Sequence, residues 1–393
     1  MESIDDPCTT PRDGSNREIW SEEIGFLPYS LLLGCLYDRE TPPPTYTSIR
    51  VLNRERPGDK QSQLRGYELV KEGGLKCVDE QVLAKQKGII IDVIGQVTAC
   101  LLQGKGVVGL SLPIRLFEPR STLERMLDRW SFMPVYFDGI NRVDRLEKFK
   151  RVIAMAIAGL YISPSQEKPF NPLLGETLQA EWPNGTKAFC EHTSHHPPIT
   201  NFYVENRHFK MHGHLELTGK FKKNSLIGGF HGNVNVEFTD GQKISFTYPR
   251  FRAGGMIMGS RTVNWEGDME FVDEANGLIA TLIFGPAKKK GFFSKAVGKL
   301  DDFKGSIMEN DEKICDVSGS WLRNLEIGDT EYWNIDTHRP VFHTFPANPL
   351  PSDWRYREDL VWLLKGNSEI AQKWKIKVEN RQRDDRKLRG LKY

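Results

Sequence analysis

Residues 233–248 read NVNVEFTDGQKISFTY. Apolar side chains occupy every second position, Val234, Val236 and Phe238 and then Ile244, Phe246 and Tyr248, and Asp240-Gly241 separates the two runs. Strict alternation marks a half-buried strand, whose side chains point to opposite faces in turn. Asp-Gly between two such runs supplies the left-handed backbone of a tight reversal. The stretch reads as a β-hairpin.

The same period holds on either side of it. HFKMHGHLELTGKF (208–221) sets Phe209, Met211, Gly213, Leu215 and Leu217 against polar neighbours, and successive short antiparallel strands are expected from about residue 175 to about residue 335. A long open sheet would expose its edges, so the run favours a barrel or a sandwich. Upstream the period is helical. Ile90, Val93, Ile94, Val97 and Leu101 form one apolar face of an amphipathic helix between Val82 and Gln103, either packed on the core or serving as a movable lid or membrane-touching helix. RSTLERMLDRWSF (120–132), with Ser121 as N-cap and Glu124 closing a capping box, and VDRLEKFKRVIAMAIAGLYIS (143–163) are further helices. Downstream, a Pro-rich loop, FPANPLPSDWR (345–355), leads to a charged helical tail. Residues 1–60, with TPPPTYTS, read as a loosely ordered leader whose apolar segment 25–37 docks on the body or on a protein partner.

With 39% hydrophobic and 27% charged residues the chain has ordinary globular composition, and a net charge of +2 gives no reason to expect a nucleic-acid partner. The charge is uneven: residues 371–393 carry nine Lys/Arg against three Asp/Glu, which suits contact with a polyanion. The six cysteines are scattered and the N-terminus is acidic, which favours the cytosol. The most apolar stretches are shorter than the ~20 residues of a spanning helix.

GKGVVG (104–109) matches the dinucleotide fingerprint only literally, because Pro113 follows where a helix is required. Neither a G-x-S-x-G elbow nor a phosphate-binding P-loop is present. No cofactor and no catalytic residue is expected. EHTSHHPPIT (191–200) is more informative. Its histidines admit several readings: metal ligation with Cys190, a Ser194 nucleophile, satisfied structural histidines, or donors to an anion pre-positioned by Pro197-Pro198. The spacing is not one that zinc sites typically use. The anion reading calls for basic partners, and Lys375, Glu379 and Arg383 share one face of the tail helix at i, i+4 and i+8. Lys168 opens a third element, KPFNPLLGET (168–177).

Together these segments resemble the oxysterol-binding protein family of lipid-transfer proteins. EHTSHHPP is similar to the family's E-Q-V-S-H-H-P-P and departs from it at His192 and Thr193; KPFNPLLGE is similar to K-P-x-N-P-x-L-G-E, and the tail to K-x-x-x-E-x-x-x-R. GLSLPIRLFEPRSTLER (109–125) resembles the segment that enters the domain. The resemblance spans approximately residues 80–393 and implies a β-rich α+β fold, a large near-complete antiparallel β-barrel enclosing a lipid tunnel, with an N-terminal helical lid and C-terminal flanking helices. It implies a lid and N-terminal helices over about 61–163, the barrel over about 164–335 and a helical region over about 336–393. The headgroup of phosphatidylinositol 4-phosphate would be held by Lys168, Asn171, His195, His196, Lys375, Glu379 and Arg383. A second lipid, a sterol or phosphatidylserine, would share the tunnel, so that the two are exchanged between membranes. The alternative is a sensor or scaffold that binds the same lipids without net transfer. Ile90, Val93, Ile94 and Val97 are the candidate gate, and Lys288, Lys289, Lys290, Phe292 and Phe293 of PAKKKGFFSK (286–295) the candidate contact with anionic membranes. The pleckstrin-homology domain of longer relatives is expected to be absent.

Overall fold

A computed structural model of the chain describes residues 64–89, 91–93, 95, 112–286 and 298–388. Strands β1 (Tyr67–Leu69) and β2 (Leu75–Cys77) pair and lead into helix α1 (Glu80–Gln86), whose N-cap Asp79 accepts hydrogen bonds from the Gln81 and Val82 N–H groups. Gly88 then takes φ +83, so the continuous helix expected from Val82 to Gln103 is interrupted there. A left-handed residue cannot continue a right-handed helix.

Strand β3 (Phe117–Ser121) runs into helix α2 (Thr122–Asp128), with Ser121 as the expected N-cap accepting from Leu123 N–H at 3.3 Å. Glu124 ion-pairs with Arg120 at 3.0 Å. Helix α3 (Arg145–Ala158) follows, capped by Asp144, and is buried on every side from Val152 to Ala158, as its unbroken apolar sequence requires. Strand β4 (Lys168–Phe170) pairs in parallel with β3.

From Thr177 to Asn334 the chain is almost entirely strand: β5 (Thr177–Glu181), β6 (Lys187–His195), β7 (Pro198–Asn206), β8 (Phe209–Lys222), β9 (Ser225–His231), β10 (Val234–Phe238), β11 (Lys243–Phe246), β12 (Arg250–Gly254), β13 (Thr262–Asp273), β14 (Leu278–Phe284), β15 (Asp302–Glu309), β16 (Glu312–Ser320), β17 (Asn324–Ile327) and β18 (Thr330–Asn334). They form one antiparallel sheet in the order β18-β17-β16-β15-β14-β13-β11-β10-β8-β7-β6-β5. The hairpin at 233–248 has the expected register, Val234 opposite Phe246 and Val236 opposite Ile244. Its loop closes with Phe238 N–H donating to Gln242 O at 2.9 Å, and Gly241 takes φ +92.

The strands are not uniformly short. β8 pairs with β10 at Phe209–Gly213 and with β9 from Glu216 onward, while β13 pairs with β12 at Thr262–Glu266 and with β11 at Phe271–Val272. Each long strand thus serves two successive partners along one edge, and the wall forks. Gly213 permits the branch, since a Cβ there would lie 2.2 Å from Asn233 O.

The sheet path is open between β18 and β5, and both edges are covered. Thr344 and Asp353 bridge to Glu181 and Thr177 of β5, and the Tyr332 hydroxyl of β18 donates to Glu147 of α3 at 2.6 Å. One face of the sheet receives the segments around α2 and α3: Trp130 Nε1 donates to Tyr248 Oη at 3.0 Å, Trp265 Nε1 to Leu160 O at 3.3 Å, and Phe137 meets Phe209 edge-on at 4.8 Å. Helices α4 (Glu358–Leu364) and α5 (Ser368–Leu388) close the described chain. Among the described residues no helix is long and apolar enough to cross a membrane.

Candidate functional site

The β6–β7 hairpin turns at His196-Pro197, a cis peptide, with His195 opposite Pro198. His195 and His196 are therefore not on opposite faces of a strand; their rings meet edge-on at 4.9 Å at the hairpin tip. Behind them His192 is buried, and its two ring nitrogens are both engaged, Nδ1 with Thr200 Oγ1 at 3.1 Å and Nε2 with His195 Nδ1 at 3.1 Å. Burial pushes His192 down to about 3, helped by the neighbouring His195, and pushes His195 down to about 4, helped by His196 and Arg357. Both rings are neutral at pH 7. In a neutral chain in which Thr200 O–H donates to His192 and His192 Nε2–H donates to His195 Nδ1, His195 keeps its Nε2–H as an outward donor.

The second element is β4. Lys168 Nζ donates to Pro169 O at 3.1 Å and to Asn171 Oδ1, and stands 5.0 Å from the centre of the Phe117 ring. Lys375 of α5 lies over the same ring at 5.2 Å. Burial, with Lys375 and then Arg357 nearby, pushes Lys168 down to about 7. No carboxylate ion-pairs with Lys168 among the described residues. Lys168 is thus an amine held without an ion-paired carboxylate, its protonated form disfavoured.

Helix α5 brings the third element. Asn367 accepts from Ile370 N–H at 3.0 Å at its start, and one face then presents Lys375, Glu379 and Arg383. Glu379 pairs with Lys375 through Oε1 and with Arg383 through Oε2 at 3.5 Å, as the i,i+4 spacing requires. Glu379 acts electrostatically on both Lys168 and His195, so all three segments converge on one recess.

A buried frame holds that recess. Arg357 Nη1 donates to Asn171 O at 2.6 Å and to Glu176 at 3.1 Å, while Nη2 pairs with Asp359 at 2.8 Å. Glu176 accepts from Ser121 Oγ at 2.9 Å and from Leu173 N–H at 3.0 Å. One guanidinium thus ties the Lys168–Thr177 loop, the start of α2 and the start of α4 together.

The structure brings Lys168, Asn171, His195, His196, Lys375, Glu379 and Arg383 to one place. Sequence reasoning missed His192, Thr200, Phe117, Arg357 and Arg386. Arg386 follows Glu379 at i+7 on the same helix face and helps to push both His195 and His196 down, a signal that helical spacing contained. Of the gate candidates, Val93 is half-buried against the core, and Ile90, Ile94 and Val97 lie outside the described residues. Lys288, Lys289, Lys290, Phe292 and Phe293 also lie outside them. No group of His, Cys, Asp or Glu suited to a metal ion occurs among the described residues.

A barrel-like antiparallel sheet carrying a cation-rich recess at one end of its strands is the architecture of a lipid-binding module. The chain belongs to the oxysterol-binding protein family, whose model matches residues 95–344. Its family is one of lipid-binding and lipid-transfer proteins, not enzymes. The chain is 36% identical to oxysterol-binding protein 9 of Dictyostelium discoideum over 80% of this chain and 79% of that protein. It is 28% identical to oxysterol-binding protein homolog 7 of Saccharomyces cerevisiae over 77% and 73%. Among solved structures, the Osh3 ORD of Saccharomyces cerevisiae in complex with PI(4)P superposes with a TM-score of 0.61 at 26% identity, over 75% of this chain and 84% of that one. The Osh1 ORD in complex with cholesterol, at 22% identity and a TM-score of 0.60 over 74% and 78%, shares the fold.

Proposed function

We propose that this protein binds phosphatidylinositol 4-phosphate and exchanges it for a second lipid, a sterol or phosphatidylserine, as a cytosolic protein that visits membranes peripherally. The headgroup is held by Lys168, Asn171, His195, His196, Lys375, Glu379 and Arg383, and the acyl chains enter the barrel, where each buried CH₂ contributes about 0.8 kcal/mol. The observation that carries this reading is Lys168, half-buried beside Lys375 with no carboxylate of its own. Burying a cation without a counter-charge is costly, and a phosphomonoester arriving with charge-assisted hydrogen bonds removes that cost. The PI(4)P complex of the related Osh3 ORD supports the choice of ligand, and the cholesterol complex of the Osh1 ORD the choice of a sterol as one counter-ligand. The lid with the N-terminal helices, the barrel and the C-terminal helical region, over about 61–163, 164–335 and 336–393, act together as one lipid-binding unit.

The test is extraction of phosphatidylinositol 4-phosphate from liposomes by the purified protein beside a His195→Ala/His196→Ala variant, with sterol and phosphatidylserine measured in parallel. Extraction by the wild type and loss in the variant is expected. A variant that extracts as well as the wild type removes the histidines from the site. Vesicle-to-vesicle transfer then separates a transporter from a sensor that binds tightly without moving lipid.

A further inference from the structure

β8 overshoots the histidine hairpin. Ile199, just after the His196-Pro197 turn, pairs with Glu216, and β8 continues to Lys222, roughly 20 Å farther along the strand at about 3.3 Å per residue. The β8–β9 turn therefore projects beyond the end of the sheet that carries the headgroup recess. The loop between β12 and β13 projects beside it. Gly254 pairs with Ser225, and Asn224 clamps the two loops: its Oδ1 accepts from Ile257 N–H at 2.7 Å and Met258 N–H at 3.2 Å, and its Nδ2 donates to Met258 O at 2.7 Å.

What this double loop shows to solvent is unusual in two respects. Met258 is 72% exposed, and Phe221, Leu226 and Ile257 are about two-fifths exposed, at 41%, 40% and 41%. Phe221 pairs with Leu226 on the face that also carries the buried Leu215, so the sheet's apolar inner face runs on past its rim. Around it Lys220, Lys222 and Lys223 are all exposed, and none ion-pairs with a described carboxylate. Lys223 takes φ +54, a backbone conformation that glycine or asparagine adopts at less cost. A cationic side chain is kept at the apex of the turn despite its backbone.

We propose that the clamped loops 220–226 and 255–260 are a docking tip that enters an anionic lipid bilayer, with Met258, Ile257, Phe221 and Leu226 in the interface and Lys220, Lys222 and Lys223 against the headgroups. An apolar cluster ringed by uncompensated lysines is the chemistry of an anionic membrane surface; a protein partner would need matching acidic groups around a preformed apolar pocket. The proposal takes only its orientation from the preceding functional reading: a tip on the recess side sets that recess facing the membrane.

The experiment is co-sedimentation of the full chain with vesicles of phosphatidylcholine alone and of phosphatidylcholine with phosphatidylserine. Wild type is expected to sediment with the anionic vesicles only. Ile257→Asp/Met258→Asp and Lys220→Glu/Lys222→Glu/Lys223→Glu should each reduce that binding about tenfold or more. Met258→Trp should strengthen it, a gain that misfolding cannot produce. Binding of a water-soluble, short-chain phosphatidylinositol 4-phosphate should be unchanged in all three variants, which separates failure of the tip from failure of the headgroup site. Variants that sediment like the wild type would overturn the proposal. So would a wild type that elutes as a dimer and is made monomeric by Ile257→Asp/Met258→Asp, because the patch would then belong to a second copy of the chain.

Discussion

The Nε2 of His192 faces the Nδ1 of His195 at 3.1 Å, and behind it Thr200 closes the chain at 3.1 Å. Only one member of this chain reaches the surface recess, and when the buried two donate toward it, its own proton is left on Nε2. His192 has a folded pKa of about 3, depressed below its unfolded value near 6.5, so the folded state resists a proton that the unfolded state accepts. The resulting stabilisation is fully present above about pH 6.5 and is lost as pH falls toward 3. Glutamine donates and accepts like the neutral ring but does not titrate. His192→Gln should therefore lessen the fall in urea-unfolding stability between pH 7 and pH 5 by about 2 kcal/mol. An unchanged pH dependence would show that His192 is not the buried titrating group.

Lys168 gives the opposite sign in binding. Its pKa of about 7 in the free protein rises when a phosphate neutralises its surroundings, so binding takes up a proton at neutral pH and above. Affinity for a soluble phosphatidylinositol 4-phosphate analogue should be level from about pH 6 to 7 and fall by up to about tenfold per unit above pH 7. Lys168→Arg keeps the charge at all these pH values and should flatten the fall. Isothermal titration in two buffers of different ionisation heat counts the proton directly, and no uptake at pH 8 would contradict the assignment.

Period-two alternation made the sheet readable, because strands such as β14 bury Leu278, Ala280, Leu282 and Phe284 while their neighbours face out. It could not show the fork, since Gly213 keeps its place in the alternation and nothing there announces that β8 changes partner between Gly213 and Glu216. The recess was legible only as fragments. Lys375, Glu379 and Arg383 share a helix face by spacing alone, but nothing local joins them to His195, and the residue that holds the frame, Arg357, sits in no periodic pattern. His192 looked like a departure from the family segment; its role depends on Thr200, which lies across a hairpin.

Close approach of helix ends makes a sharper test of packing. At Gly159, just after α3, an added Cβ would lie 2.0 Å from the carbonyl oxygen of Arg129, a backbone atom that cannot swing away. Gly159→Ala should cost about 1–3 kcal/mol in chemical unfolding. Gly219→Ala, where no atom lies within 4 Å of the added methyl and φ is ordinary, should stay within about 0.5 kcal/mol of the wild type. Equal effects at the two glycines would mean that the α2 and α3 ends separate easily.

Arg357 is the residue whose loss should be felt farthest. It is buried with 4% of its surface exposed and joins Asp359, Glu176 and the Asn171 carbonyl, while Glu176 in turn holds Ser121 and the Leu173 N–H. Removing a single partner from a buried ion network leaves the others charged and desolvated, which typically costs about 3–5 kcal/mol. Arg357→Ala should lower the midpoint of unfolding accordingly. It should also loosen the Lys168–Asn171 segment, so lipid extraction should fall even below the unfolding temperature. Arg357→Lys keeps the charge but offers no planar fork to bridge Glu176 and Asp359, and should recover only part of the loss. If Arg357→Ala unfolds like the wild type and extracts lipid normally, the ion network neither stabilises the domain nor shapes the recess.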